Sequence, residues 1–175
     1  MPSRAPAFVQ VVFKAVIAAL VVPPSYRRLM KVEVTENIDV PRARVFDLMA
    51  DARNEPSWNT QVASVELRTS EPIGLGSSFT TVYRGLTYAV TVTDHERPSR
   101  LEFSVNGKLL TISPRFSFAE SGGSTRLRAE FDVQPRGPMK VLLPLMGRLV
   151  RRDFITQLAN FTRFCESNDQ DRAKS

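Results

Sequence analysis

The chain holds few residues equipped for chemistry, and their surroundings decide what chemistry is open to it. His95 is the only histidine and Cys165 the only cysteine. One imidazole and one thiol fall short of a zinc site, which takes three or four such ligands. The alternation around His95 places it on a wet strand face or in the loop before Pro98, away from any pocket where a general base would work. Cys165 falls near the end of a long helical stretch, a position that does not lower a thiol pKa, so it reads as a core residue. Gly74-Leu75-Gly76 lacks a third glycine and a following lysine, which removes a phosphate-binding loop. What remains is a set of polar side chains in otherwise apolar faces: Glu36, Thr81, Tyr83, Tyr88 and Gln157. A buried polar group needs a partner, which is a neighbouring side chain, an ordered water or a ligand. Nothing in this set calls for a metal or a cofactor.

The elements that carry these residues follow from periodicity. Val32, Val34, Ile38 and Val40 alternate with Glu33, Thr35, Asn37 and Asp39, which predicts a half-buried strand whose apolar face Glu36 interrupts. Pro41 suits a helix start, and Val45, Phe46, Leu48 and Met49 predict a helix of about two turns. Pro56-Ser57-Trp58 predicts a second short helix or turn. Six strands are expected next, at 62–69, 77–83, 86–93, 100–105, 108–119 and 125–134. The turn signals between them are Gly74-Leu75-Gly76, Arg84-Gly85, Pro98-Ser99, Asn106-Gly107 and Gly122-Gly123.

Two-residue turns fix which residues face each other. An Arg84-Gly85 turn sets Tyr83 against Leu86, Thr81 against Tyr88 and Phe79 against Val90. A Gly122-Gly123 turn sets Phe118 against Leu127, Phe116 against Ala129 and Ile112 against Val133. An Asn106-Gly107 turn sets Phe103 against Leu110 and Leu101 against Ile112. These pairings gather apolar residues on one sheet face and Thr80, Thr87, Glu102, Ser104, Arg128 and Asp132 on the other, where Arg115 opposes Glu130. The cover for the apolar face is a helix from Gly137-Pro138 to about Glu166. Leu143, Met146, Val150, Phe154, Leu158, Phe161, Phe164 and Cys165 share one arc of it, with Arg148, Arg152 and Arg163 opposite. Pro144 should kink this helix or mark its true start. Residues 168–175 form a polar tail expected to fray.

The 175 residues, 42% hydrophobic and 24% charged with eleven Phe, fit one globular domain and a modest extension. A single cysteine excludes an internal disulfide and is simplest in a reducing compartment. The net charge of +6 is lopsided: residues 1–31 carry five basic side chains and no acid, leaving 19 basic against 18 acidic elsewhere. A near-neutral domain argues against nucleic acid as a partner. Residues 7–22 are apolar except for Gln10 and Lys14, a run shorter than a bilayer needs, and Pro23-Pro24 stops any helix there. Residues 1–30 are therefore expected to be a helical extension. It packs on the domain or lies on a membrane surface, contacting it through residues 4–31, or forms a short membrane anchor with Lys14 snorkelling; a cleaved signal peptide is disfavoured, because no small-x-small site follows the apolar run. If the segment spans, its charge bias puts the domain on the cytoplasmic side; the expected localisation is cytoplasmic, at the inner face of the membrane where the extension binds there.

The order of strand, two short helices, six antiparallel strands and one long helix resembles the START-like superfamily, also called SRPBCC. Within it the chain is most similar to the polyketide cyclase/dehydrase and lipid-transport type. The matching residues are Ile38-Asp39-Val40-Pro41 with Val45-Phe46, Asp51 with Pro56 and Trp58, Gly74-Leu75-Gly76-Ser77-Ser78-Phe79, and the run from Asp94 to Phe103. The resemblance covers about residues 31–167. It implies an α+β helix-grip fold: a seven-stranded antiparallel sheet curved around a long C-terminal helix, with two short helices after the first strand. It also implies a pocket between sheet and helix. Phe79, Thr81, Tyr83, Tyr88 and Val90 would line the pocket from the first hairpin, and Phe103, Ile112, Phe116 and Phe131 from the rest of the sheet. Met146, Val150, Phe154, Gln157 and Leu158 would line it from the helix. Trp58 would close one end, and Glu36 would break the wall. The expected function is binding or carriage of a hydrophobic small molecule, lipid or polyketide-like, with no cofactor and no metal. Two alternatives stand beside it. One is a cyclase or dehydrase using Tyr83, Tyr88 or Glu36 for acid-base work. The other is a peripheral-membrane or toxin-type interaction protein with a vestigial pocket. The oligomeric state is left open.

Overall fold

A computed structural model describes residues 30–174 of the chain. The expectations for residues 1–29 lie outside the described residues. The first strand, β1 (Met30–Ile38), leads through Pro41 into α1 (Arg42–Ala50) and a short 3-10 helix (Ala52–Ser57). Six strands follow: β2 (Val62–Leu67), β3 (Ser78–Tyr83), β4 (Leu86–Glu96), β5 (Arg100–Gly107), β6 (Leu110–Ser121) and β7 (Ser124–Pro135). The chain closes with α2 (Met139–Ala173). The seven strands form one antiparallel sheet in the order β1-β7-β6-β5-β4-β3-β2. This is the expected helix-grip architecture.

Alternation sets the two sheet faces. On β7 the inward residues Leu127, Ala129, Phe131 and Val133 are buried. On the outer face Arg115 pairs with Asp132 at 2.6 Å and with Glu130 at 3.6 Å. Two of the expected hairpins keep their register. Tyr83 opposes Leu86, Thr81 opposes Tyr88 and Phe79 opposes Val90. Phe118 opposes Leu127 and Ile112 opposes Val133. Arg84 and Gly85 both adopt positive φ, at 50° and 75°, as the twist-matched two-residue turn demands. At the other end of the molecule the Thr125 hydroxyl donates to the Val40 carbonyl at 2.7 Å, fixing the entry to α1 against β7.

Three expectations need correction. The β5–β6 turn is not at Asn106-Gly107. Asn106 opposes Thr111 and Leu101 opposes Phe116, so the loop lies at Lys108-Leu109, two residues later. The resulting register differs from the expected one by four residues, an even number, so every side chain keeps its face. Gly107 serves close approach instead: a Cβ there would overlap the Tyr88 ring. His95 is not on the wet face. A bulge between Val92 and Asp94 reverses the alternation and sets His95 opposite the buried Leu101, its ring 5.1 Å from Phe46 in an edge contact. Finally, α2 does not fray at Glu166. It runs to Ala173, with no Gly or Pro after Glu166 to stop it, and the Asn168 side chain accepts from Arg44 at 2.6 Å. The helix begins at Met139, so Pro144 lies inside its second turn rather than at its start.

Two halves of α2 do different work. Leu158, Phe161 and Cys165 are buried among Val34, Ile38, Val45 and Phe46 and complete the core. Burial pushes the Cys165 thiol up to about 12, which keeps it inert. Before Leu158 the helix and the sheet enclose an open space, bridged where Phe154 meets Phe131. Among the described residues no helix is long and apolar enough to cross a membrane.

Candidate functional site

The open space is a cavity of about 350 Å³ between the concave sheet face and the first five turns of α2. Its floor is an aromatic series. Phe103 meets Phe116 edge-on at 6.2 Å, Phe116 meets Phe131 at 5.9 Å, and Phe131 stacks on Phe154 of α2 at 4.1 Å. Val90, Val105, Ile112 and Val133 fill the sheet wall between these rings. Leu143, Met146, Val150 and Leu158 form the helix wall. Trp58 stands at the end where the 3-10 helix closes the space, its ring 5.3 Å from Phe161. Such a lining suits a mainly apolar molecule.

The polar groups gather at two places. At the mouth, Tyr83 on β3 donates to Asp153 Oδ2 on α2 at 2.8 Å, and Gln61 Nε2 donates to Asp153 Oδ1 at 2.7 Å. Arg84 donates to Gln61 and reaches Asp153 at 3.5 Å. Burial, reinforced by the neighbouring Asp153 carboxylate, pushes the Tyr83 phenol up to about 12, so it remains a donor. Burial also raises Tyr88, whose ring meets that of Tyr83 edge-on at 6.3 Å.

The second group lies deeper. Asn59 is buried, and its amide donates to Glu55 Oε1 at 3.0 Å and to Gln157 Oε1 at 3.2 Å. Gln157 in turn donates to Asp153 at 3.1 Å, joining the two groups. Glu55 has no basic partner among the described residues. Desolvation pushes its carboxyl up to about 7, against the smaller opposing effect of the Asn59 hydrogen bond. Its proton is therefore exchangeable near neutral pH. Thr81 stands out on the sheet wall. It is buried and borders the cavity, yet its hydroxyl has no hydrogen-bond partner among the described residues.

Of the residues singled out in the sequence, Trp58, Thr81, Tyr83, Tyr88, Val90, Phe103, Ile112, Phe116 and Phe131 border this one cavity. So do Met146, Val150, Phe154, Gln157 and Leu158. Two residues do not. Phe79 shares the correct face but is sealed in the core at 1% exposure. Glu36 also has the correct phase, but it lies half-buried opposite Leu127 on the edge strand, outside the cavity. The residues missed are Glu55, Asn59 and Asp153. Glu55 and Asn59 sit in and just after a 3-10 helix, where neither a period of 2 nor one of 3.6 assigns a face. Asp153 lies four residues before Gln157 on α2, a spacing that could have marked it. Among the described residues no cluster suits a metal ion.

A seven-stranded sheet gripping a long helix, with an apolar cavity between them and a small polar network inside, defines a helix-grip protein. Residues 30–166 match the family model described as polyketide cyclase / dehydrase and lipid transport, and the chain belongs to that family. It is similar in structure to TTHA0849 from Thermus thermophilus, with a TM-score of 0.64 at 20% identity over 79% of this chain and 98% of that one. A START superfamily protein from Mycobacterium smegmatis matches with a TM-score of 0.63 at 17% identity, over 81% and 97%. StfQ, a di-domain ARO/CYC from the steffimycin biosynthetic pathway, matches with a TM-score of 0.62 at 16% identity, over 81% of this chain and 46% of that one. At these identities the likeness concerns the fold. No curated protein matches the chain.

Proposed function

We propose that the chain binds and carries a mainly apolar small molecule bearing at least one hydrogen-bonding group. The observation that carries this reading is the apolar 350 Å³ cavity, whose wall includes Thr81 with a buried hydroxyl that has no partner among the described residues. An unpaired buried hydroxyl costs free energy, and a ligand carbonyl or hydroxyl seated beside it would recover that cost. The surrounding Phe and Val side chains supply affinity through area and dispersion. Family membership supports the same reading. Trp58, the only tryptophan, lies in the wall and reports occupancy directly. Protein isolated from its own host, measured by native mass spectrometry, should carry a mass beyond the polypeptide that is released on denaturation. Protein that arrives empty and leaves Trp58 emission unchanged across lipid and aromatic-polyketide panels would defeat the proposal.

A second reading, an acid-base enzyme, is favoured by Glu55. A carboxyl poised near pH 7 in a water-poor cavity is matched to moving protons at neutral pH. It could take a proton from an activated methylene of a poly-β-ketone chain so that the carbanion attacks a ketone carbonyl further along, and give that proton to the alkoxide formed; taking the second proton of the same carbon and passing it to the departing hydroxide then completes the cyclisation with loss of water. Turnover of such a substrate, abolished in Glu55→Gln with binding retained, identifies the enzyme. Binding without turnover leaves the carrier.

A further inference from the structure

The outward side of α2 beside the cavity carries an unusual surface. Leu145 is 70% exposed and Leu149 64%, with Leu142 at 44%. Nothing among the described residues covers them. From Gly137 to Arg152 the chain has four basic residues, Lys140, Arg148, Arg151 and Arg152, and no acid. Arg148 and Arg152 are exposed and form no ion pair among the described residues. At 100° per residue, Leu142, Leu145, Leu149, Arg148 and Arg152 fall within an arc of about 120°. Leucines on one line with arginines beside them make an amphipathic strip that combines apolar area with positive charge.

We infer that this strip docks the protein on an anionic lipid surface. The charge selects the occupant. A second copy of the chain would set these arginines against one another, whereas an anionic headgroup layer would neutralise them while the leucines enter the acyl boundary. The position fits the occupant as well. Leu149 and Arg152 border a shallow depression with Arg84, Met146 and Asp153, three residues that also line the cavity. Docking therefore brings the cavity mouth to the bilayer surface, where an apolar molecule can cross without passing through water. The docking itself does not depend on what the cavity holds.

The test is co-sedimentation of the full chain with vesicles of phosphatidylcholine alone and of phosphatidylcholine with phosphatidylglycerol. Wild type should partition onto the anionic vesicles and at least tenfold less onto the neutral ones. Each cation near such a surface is worth about a fivefold gain in partitioning. Arg148→Gln/Arg152→Gln should therefore lose about 25-fold, and 0.5 M salt should reproduce much of that loss in wild type. Leu145→Ser/Leu149→Ser should lose at least tenfold with all charges in place. Both pairs are exposed, so unchanged unfolding midpoints are expected, and each pair tests the strip without the other. Full binding by both double variants overturns the inference and moves the contact elsewhere, residues 7–22 included. Absence of wild-type binding overturns it too, as does equal binding to both vesicle types. A self-associated chain with its leucines protected would assign the strip to a second copy instead.

Discussion

The Tyr83 hydroxyl donates to Asp153 across 2.8 Å and so ties β3 to α2 over the mouth of the cavity. The two residues are 70 positions apart in the chain, and Arg84, next to Tyr83, also reaches Asp153 at 3.5 Å. Hydrogen bonds to a charged group contribute about 1.5 to 3 kcal/mol. Asp153 retains Gln61 and Gln157 as donors, so Tyr83→Phe should cost less, about 1 to 2 kcal/mol, in urea unfolding. The same variant should speed ligand release at least as much as it weakens affinity, because the tether closes the mouth.

Glu55 makes the protein's stability depend on pH in a direction opposite to most carboxylates. Its folded pKa is pushed up from 4.5 to about 7. Between these values the folded state holds a proton that the unfolded state has released, so stability falls as pH rises. The contribution is complete below about pH 4.5 and is lost above about pH 7. Its size is on the order of 2 to 3 kcal/mol. Glu55→Gln keeps an acceptor for Asn59 and cannot ionise. It should flatten the stability profile between pH 5 and 8 and be the more stable protein at pH 8. Equal pH slopes for the two proteins would place Glu55 in contact with water.

The contrast between Glu36 and Glu55 shows how far the sequence could be read. Phase was legible. The alternation of β1 put Glu36 on the inner face, and the turn at Arg84-Gly85 put Thr81 and Tyr88 on one wall. Position along the wall was not. Whether an inward residue meets core or cavity depends on where α2 leaves the sheet, and that depends on packing between residues more than 100 positions apart. Leu158, Phe161 and Cys165 fill the end near β1, and Glu36 falls outside the cavity; Phe79, on β3, lies in the core. His95 failed for a local reason. A single bulge after Val92 reverses the alternation, and no residue type there announces it. Asn106-Gly107 failed because a glycine has two uses. Its small size is needed beside Tyr88, and its freedom to turn is not used.

That second use of glycine is measurable. Gly107→Ala places a methyl group against the Tyr88 ring, on a residue only 8% exposed. Overpacking of this kind costs about 1 to 3 kcal/mol. The cost should shrink markedly in a Tyr88→Ala background, where the ring is gone, and a double-mutant cycle reads the coupling directly. A turn role would instead leave the alanine penalty unchanged by Tyr88→Ala.

Thr81 offers the sharpest separation of folding from function. The Thr81 hydroxyl is buried with no partner among the described residues, so Thr81→Val, nearly the same shape, removes a desolvated group. The valine protein should be more stable by about 1 kcal/mol in the absence of ligand. If that hydroxyl meets the polar group of the cargo, the same variant should bind the native ligand about tenfold more weakly, which Trp58 emission will report. Thr81→Ser keeps the hydroxyl and should retain most of the affinity while losing stability to the missing methyl group. A hydroxyl held by a bound water would give the opposite pattern, with the valine protein destabilised by loss of that water and the affinity little changed.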